Sequence, residues 1–408
     1  MNEPPAQQLD GPTEGARRGI PGRRSRRPAQ KTALLLFLCA IGLVITGCRT
    51  FGFYRQAIKG QYQIVTSQEK IETLIAEPQT PVRLKEKLVL VQKLRAFASA
   101  DLRLPVDGHY QKYVDIHRPF VVWNVEAAPE FSLEPKTWWY PFVGRLDYRG
   151  YFAEPGATNY AQALRERGYD ISVGGVAAYS TLGWFKDPVL NTFVFDPEPD
   201  LAETIFHELG HQRVFASGDA HFNEAFATIV GQEGAQRWLR AKGDTNACAA
   251  YQAELRRTDQ FVALVAGARK ELELLYGDVR TETGAIKANP RKAGERPPDL
   301  RSRKQDILDK LRRNYRRLRD TEWNGDGAYD AWFAHGLNNA KLNTVAQYYD
   351  LLPAFRRLLE LNGNDLEKFY QASERLAKQP KKERDAALSS LAPALASTGG
   401  TTAKAPAN

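Results

Sequence analysis

Cysteine is scarce in this chain: three in 408 residues, at Cys39, Cys48 and Cys248. Their positions exclude a disulfide framework. Cys39 lies inside an apolar run, Cys48 follows Ile45-Thr46-Gly47, and Cys248 stands alone far downstream. If the segment before Cys48 is removed, Cys248 has a single possible partner, and no bond between the two is expected. Long hydrophobic runs are lacking too. The run from Ala33 to Ile45 carries no charge, yet it falls short of the roughly 18 residues that a bilayer-spanning helix needs. No zinc finger, phosphate-binding glycine loop or nucleic-acid motif is present. Positive charge is in modest excess, at net +9, and residues 1–31 hold +4 of it, with seven basic side chains against Glu3, Asp10 and Glu14. The remainder does not call for a nucleic-acid partner.

Histidine is the next rarity, with six in the chain, and two of them fall four apart. Thr204-Ile205-Phe206-His207-Glu208-Leu209-Gly210-His211-Gln212 contains an H-E-x-x-H motif. On a helix, residues four apart leave the same face, so both imidazoles can grip one Zn²⁺ at about 2.0–2.1 Å. Glu208 then reaches a water at the metal without being a ligand, as a general base must. Glu224, in Phe222-Asn223-Glu224-Ala225-Phe226-Ala227, offers a third ligand from the next helix. Two His and one Glu with a fourth position for water describe a hydrolytic site rather than a structural one. Asp200 reads as an N-cap with Glu203 completing a capping box, and Ser217-Gly218-Asp219 as a stop. Ala225, Ala227, Gly231 and Gly234 are small enough to let two helices approach closely. A surface helix with two ordinary histidines is the competing reading.

HELGHQ followed by FNEAFATIVGQEG resembles the gluzincin metallopeptidases, in which an Asn-Glu pair on a later helix completes the zinc site. More narrowly, Ala178-Tyr179-Ser180-Thr181-Leu182-Gly183-Trp184-Phe185 with Asp187-Pro188 resembles a bacterial family of predicted aminopeptidases. Trp123-Asn124-Val125, Pro129-Glu130-Phe131, Gly150-Tyr151-Phe152 and Leu337-Asn338-Asn339-Ala340 resemble it as well. The matches run from about Tyr54 to Tyr370. One departure is that His211 and Glu224 are closer in sequence than in the best-known gluzincins, which demands a compact turn. Aminopeptidase activity is what the resemblance implies; the spacing alone implies a metal-dependent hydrolase.

Before the domain, residues 1–31 are rich in Pro, Gly and Arg without periodicity, and read as a disordered basic leader. With the apolar run they form a secretory signal. Ile45-Thr46-Gly47-Cys48 resembles the bacterial lipobox, in which cleavage leaves a lipidated first Cys. Residues 1–47 are thus expected to be leader and signal peptide, and Cys48 a lipid anchor to the membrane. The protein would face the periplasm in the cell envelope. Arg49, rather than Asp, resembles outer-membrane-sorted lipoproteins. An uncleaved N-terminal anchor is the alternative.

Residues 48–391 are expected to form one α+β, mostly helical metallopeptidase domain, with a small mixed β-sheet packed on a gluzincin-like core. N-terminal helices over 51–118 include an amphipathic one marked by Leu84, Leu88, Val91 and Leu94. Residues 119–200 are strand-rich: Phe120–Val125, Trp138–Phe152, Ile171–Tyr179 and Asn191–Phe195 are short aromatic and β-branched runs. Asn191–Phe195 is the candidate edge strand for carrying substrate backbone, as gluzincins do. The zinc helices span 201–243, a helical hairpin 244–320, further helices 321–391, and residues 392–408 form an unstructured tail. His109 and His117 have no partner at ligand spacing and read as structural or surface residues.

The expected chemistry is hydrolysis of a peptide bond with one Zn²⁺ on His207, His211 and Glu224, and Glu208 as base. Glu203 and Asp219 are candidates for orienting the imidazoles. Tyr179, Tyr348 or Tyr349 could donate to the oxyanion, though buried tyrosines commonly just pack. Asn338 and Asn339 could bind substrate backbone or serve as cap and turn residues. Glu203 and Glu233 could recognise a free α-amine. An envelope zinc endopeptidase, or a non-catalytic zinc lipoprotein or binding module, are the other readings. Glu208 discriminates, because a structural site needs no base.

Overall fold

The structure is a computed structural model that describes residues 52–140, 144–178, 186–280, 286–288 and 299–391. By its contacts the chain divides into Met1–Arg55 and Gln56–Asn408. Of the first unit only the opening turn of helix α1 (residues 52–66) is described; every other element belongs to the second. After α1 come β1 (Glu69–Lys70), α2 (Ile71–Ala76), α3 (Val82–Ala100), β2 (Lys112–Val114) and β3 (Val122–Pro129). Then follow β4 (Trp138–Tyr140), β5 (Gly144–Leu146), β6 (Tyr148–Tyr151), α4 (Glu154–Arg165), β7 (Tyr169–Val176) and β8 (Val189–Leu190). The rest is almost wholly helical: α5 (Glu198–Arg213), α6 (Ala220–Ala241), α7 (Thr245–Tyr276), α8 (Leu300–Glu322) and α9 (Asp330–Ala334). A two-stranded hairpin, β9 (Val279–Arg280) and β10 (Ile286–Lys287), separates α7 from α8. The chain ends in α10 (Asn339–Tyr349), α11 (Leu352–Leu361), α12 (Leu366–Ala377) and α13 (Lys381–Leu391). The protein is α+β and mostly helical.

Instead of one mixed sheet, the described strands form four small pairings: β1-β2-β8, β6-β3-β7, β4-β5 and β10-β9. Only β1-β2-β8 mixes directions, β2 running parallel to β8. The run from Trp138 to Phe152 breaks into three strands, its second starting at Gly144, whose φ of +87° is open to glycine at little cost. Asn191–Phe195 is no strand. The chain turns there through bonds from Phe193 and Val194 to the Leu190 carbonyl. Phe193 and Val194 are aromatic and β-branched because they are buried, not because they are extended.

In β6-β3-β7 every pairing is antiparallel, with Glu126 opposite both Tyr148 and Ser172, and Asn124 opposite Gly150 and Gly174. Side chains alternate across a strand. Trp123, Val125 and Ala127 therefore share one face, which is buried. Tyr151 lies on that face and stacks against Tyr160 of α4, so α4 covers it. The opposite face, with Asn124 and Glu126, is left to look elsewhere.

Two apolar cores hold the helices. Leu88, Val91, Ile205, Phe206, Phe226, Phe355 and Phe369 belong to the first, joining α3, α5, α6, α11 and α12. Val265, Leu272, Leu308, Leu311 and Tyr315 belong to the second, where α7 meets α8. Between α5 and α6 the backbones nearly touch. A Cβ on Gly231 would lie 2.8 Å from the Glu203 carbonyl and 3.1 Å from the His207 Cβ. Dispersion and apolar burial thus press the two helices together at the turn that carries His207.

α5 begins earlier than its Asp200 cap would have it. It starts at Glu198, with Pro199 in the first turn, where a missing N–H costs nothing. Glu198 and Asp200 then occupy the first turn, where carboxylates favour the helix dipole.

Candidate functional site

His207 and His211 leave the same face of α5 one turn apart, their rings edge-on with centroids 4.8 Å apart. Their Nε2 atoms are 3.2 Å apart. Across from them, Glu224 on α6 sets Oε2 at 3.4 Å from His207 Nε2 and 3.8 Å from His211 Nε2. Among the described residues this is the group of ligating side chains that could hold a metal ion. A tetrahedral ion with bonds of about 2.0–2.1 Å has ligand–ligand edges of about 3.4 Å. The three separations match that triangle. The donor set, two imidazoles and one carboxylate, suits Zn²⁺ with room for a fourth ligand.

The turn between the helices is compact, as the short sequence separation requires. Asn223 closes it: the Ala216 N–H donates to its Oδ1 at 2.7 Å, and its Nδ2 donates to the Ala216 carbonyl at 2.9 Å. Asp219 caps α6 by accepting from the Phe222 N–H. Its other oxygen takes Arg384 at 2.7 Å and Lys381 at 3.1 Å, both from α13. The structure thus spends Asp219 on the cap and on two cations, not on orienting an imidazole. Glu203 accepts from the Tyr251 hydroxyl on α7, and lies one turn below His207. Of the two candidate amine carboxylates, Glu203 is held by Tyr251, and Glu233 pairs with Arg237 at 2.7 Å.

Electrostatics sort the group into distinct protonation states. Glu208 is 7% exposed and its Oε2 has no hydrogen-bond partner. Burial raises its pKa to about 8, the His207 charge opposing this and those of Glu224 and Asp187 adding to it. Burial lowers His211 to about 4 in spite of the Glu224 carboxylate. His207 goes the other way. Burial pulls it down, but the hydrogen bond to Glu224 and the charges of Glu208, Glu224 and Glu203 leave it raised. Burial alone would raise Glu224; His211 and His207 instead hold it below the usual carboxylate range. A neutral imidazole and an ionised carboxylate are the forms a metal takes. The Nδ1 atom of His211 is buried without a partner.

The other predicted residues separate. Tyr348, near the end of α10, is raised well above its normal pKa, chiefly by the Glu224 charge and then by burial. It is thus an electrostatic neighbour of Glu224. Tyr349 is about 100° further round the helix. It packs between the two apolar cores, with Glu203, Tyr329 and Asp259 as its electrostatic neighbours, and does not join Glu224. Asn338 caps α10 by accepting from the Lys341 N–H and donates to the Ile171 carbonyl. Asn339 is fully buried, donating to the Pro129, Glu130 and Ser132 carbonyls and accepting from the Tyr276 hydroxyl. Both amides serve as cap and anchor, the second of the two roles the sequence left open for them. His109 is buried 3.4 Å from Asp187 and His117 is exposed beside Asp115; neither belongs to the group of ligating side chains. Tyr179 and Cys48 lie outside the described residues.

Two groups escaped the sequence. Tyr148 opens β6, and burial first, then the charges of Glu224, Glu126 and Glu208, push its pKa up. It is brought there by its neighbour: Asp147 lies 3.3 Å from His221 at the head of α6. Glu126, in the middle of β3, is raised by burial to about 8. A charged residue amid Trp123, Val125, Ala127 and Ala128 was the available signal. Helix α10 packs against β3, β7 and α6 at once, so it links the sheet that carries Glu126 to the helix that carries Glu224.

A family model described as "Putative aminopeptidase" matches residues 52–388, most of the chain. No curated protein and no solved structure matches it.

Proposed function

The chain belongs to the family described as "Putative aminopeptidase", and from that premise we propose that it is a zinc-dependent aminopeptidase with a gluzincin-like α5–α6 core. The observation that carries this reading is the convergence of His207 Nε2, His211 Nε2 and Glu224 Oε2 at 3.2–3.8 Å, beside a buried Glu208. Those three side chains would hold the ion. When bound, zinc polarises the scissile carbonyl and lowers the pKa of an attacking water. Glu208 takes the proton of that water and hands it to the leaving amine. Tyr348 and Tyr148, hydroxyls that face Glu224, are placed to donate to the oxygen that gains charge in the transition state. A binding module or structural zinc site would have no use for Glu208 at that position.

The purified protein is expected to carry about one zinc per chain and to release arylamine from free amino-acid arylamides. Zinc without turnover of either free or N-blocked peptides would favour the binding-module reading. Faster cleavage inside N-blocked peptides than at free ends would make it an endopeptidase.

We also propose placement in the cell envelope through a lipid on Cys48, supported by the basic leader and the uncharged apolar run before Ile45-Thr46-Gly47-Cys48. No helix among the described residues is long and apolar enough to cross a membrane. Labelled palmitate should enter the wild-type chain and not Cys48→Ala; equal labelling of both would sink the anchor.

A further inference from the structure

We propose that Glu126 is the anchor for the free α-ammonium group of the substrate, its strand pairing it with Tyr148 and packing on α10, the helix that carries Tyr348 and also packs on the Glu224 helix. This rests on the peptidase reading and deepens it, since an N-terminal anchor is what separates an aminopeptidase from an endopeptidase. Three observations carry it.

The first is placement. Glu126 stands on the face of β3 that α4 does not cover, with Tyr148 opposite it on β6 and Ser172 on β7. Helix α10 packs on β3 and on α6, bringing Tyr348 to the same space. Opposite Asn124 on that face, two residues along β3, a Cβ at Gly174 would meet nothing within 4 Å, so that end of the sheet face is open.

The second is an unmet need. Oε2 of Glu126 is out of solvent contact and, among the described residues, has no hydrogen-bond partner. The influences on its carboxyl are burial and its own backbone N–H, with no cation among the described residues. A buried carboxylate without a counter-charge is unfavourable, and the usual remedy is a paired cation.

The third is elimination. Glu203 is held by Tyr251, Glu233 by Arg237, Asp147 by His221 and Asp170 by Lys304. Glu208 has an unpartnered oxygen too, but the hydrolysis needs it for water. An α-ammonium carries one positive charge and N–H donors, which a carboxylate meets with charge-assisted hydrogen bonds, and two tyrosine hydroxyls can accept the remainder. Burial already lifts the Glu126 carboxyl to about 8, and a cation beside it favours the charged form again.

The test uses the full chain carrying Glu208→Gln, in which cleavage is stopped, and measures binding of trialanine and N-acetyl-trialanine by calorimetry. Trialanine should bind about tenfold more tightly or better. Adding Glu126→Gln should remove that preference while leaving the affinity for the acetylated peptide unchanged. A preference that survives Glu126→Gln, or its absence in the parent, overturns the assignment. Thermal melting checks folding. If the Gln variant does not fold, Glu126→Asp, which keeps the charge but withdraws it by one methylene, should weaken the preference, and an undiminished preference there also overturns it. The underlying reading fails differently. If Glu208-dependent hydrolysis of free and blocked peptides proceeds alike, the peptidase stands and the anchor falls. If no peptide is cleaved by the wild type, the peptidase reading itself falls.

Discussion

Glu208→Gln is expected to lower kcat on amino-acid arylamides by about 10²–10⁴-fold while zinc content stays at the wild-type level. In barrier terms that is about 3–5 kcal/mol. The argument turns on what the substitution keeps. Gln has the size and shape of Glu, and the side chain is 7% exposed beside His207, so packing around α5 is preserved. The two helices touch through Gly231 and do not depend on the Glu208 charge. What disappears is an oxygen able to take a proton. Burial raises this carboxyl above the usual carboxylate range, which makes it a stronger base than an exposed Glu once ionised. Steady-state kinetics with metal analysis of the same samples decides it. Full zinc with unchanged kcat would remove Glu208 from the mechanism.

Glu224→Ala should behave in the opposite order: zinc is lost first and activity with it. Disturbing a residue behind a zinc ligand already costs about 10–100-fold in affinity, and Glu224 is one of only three donors, so occupancy should drop from about one to below about a tenth after dialysis. The loss has a readout that needs no substrate. An ion that binds the folded chain alone stabilises it by about 2.7 kcal/mol at a hundred times its Kd. The wild type should therefore melt several degrees higher with zinc than with chelator, and Glu224→Ala should show no such shift. A variant that keeps both its zinc and the zinc-dependent shift would mean the ion is held elsewhere. Together the two variants separate holding the ion from moving the proton.

The convergence of His207, His211 and Glu224 was legible because it is local. His207 and His211 are four apart on one helix, and helical geometry alone makes them neighbours. Glu224 was reachable because a short turn brings the next helix back. The small residues at Gly231 and Gly234 announced the close approach, and the apolar spacing of Leu84, Leu88, Val91 and Leu94 announced α3. Elsewhere local pattern misled. Asn191–Phe195 has strand composition because it is buried, and β-type residues fit any half-buried surface. For Asn338 and Asn339 the sequence left substrate contact and cap or turn roles open, and the partners they hold are backbone groups on and beside β3 and β7 that lie far away in sequence.

By itself, then, the sequence determined the helical character, the H-E-x-x-H turn and the Glu224 carboxylate that joins it, since each depends on contacts within one helix or across one short connection. Only the tertiary structure decided what surrounds them. It put Tyr348, rather than Tyr349, among the electrostatic neighbours of Glu224, brought Tyr148 to the head of α6 through Asp147 and His221, spent Asp219 on Arg384, and left Glu126 buried without a cation among the described residues. The reason is physical. Which face of a strand meets which helix is set by long-range packing of apolar surface, and no spacing along the chain encodes which polar group that packing will leave without a partner.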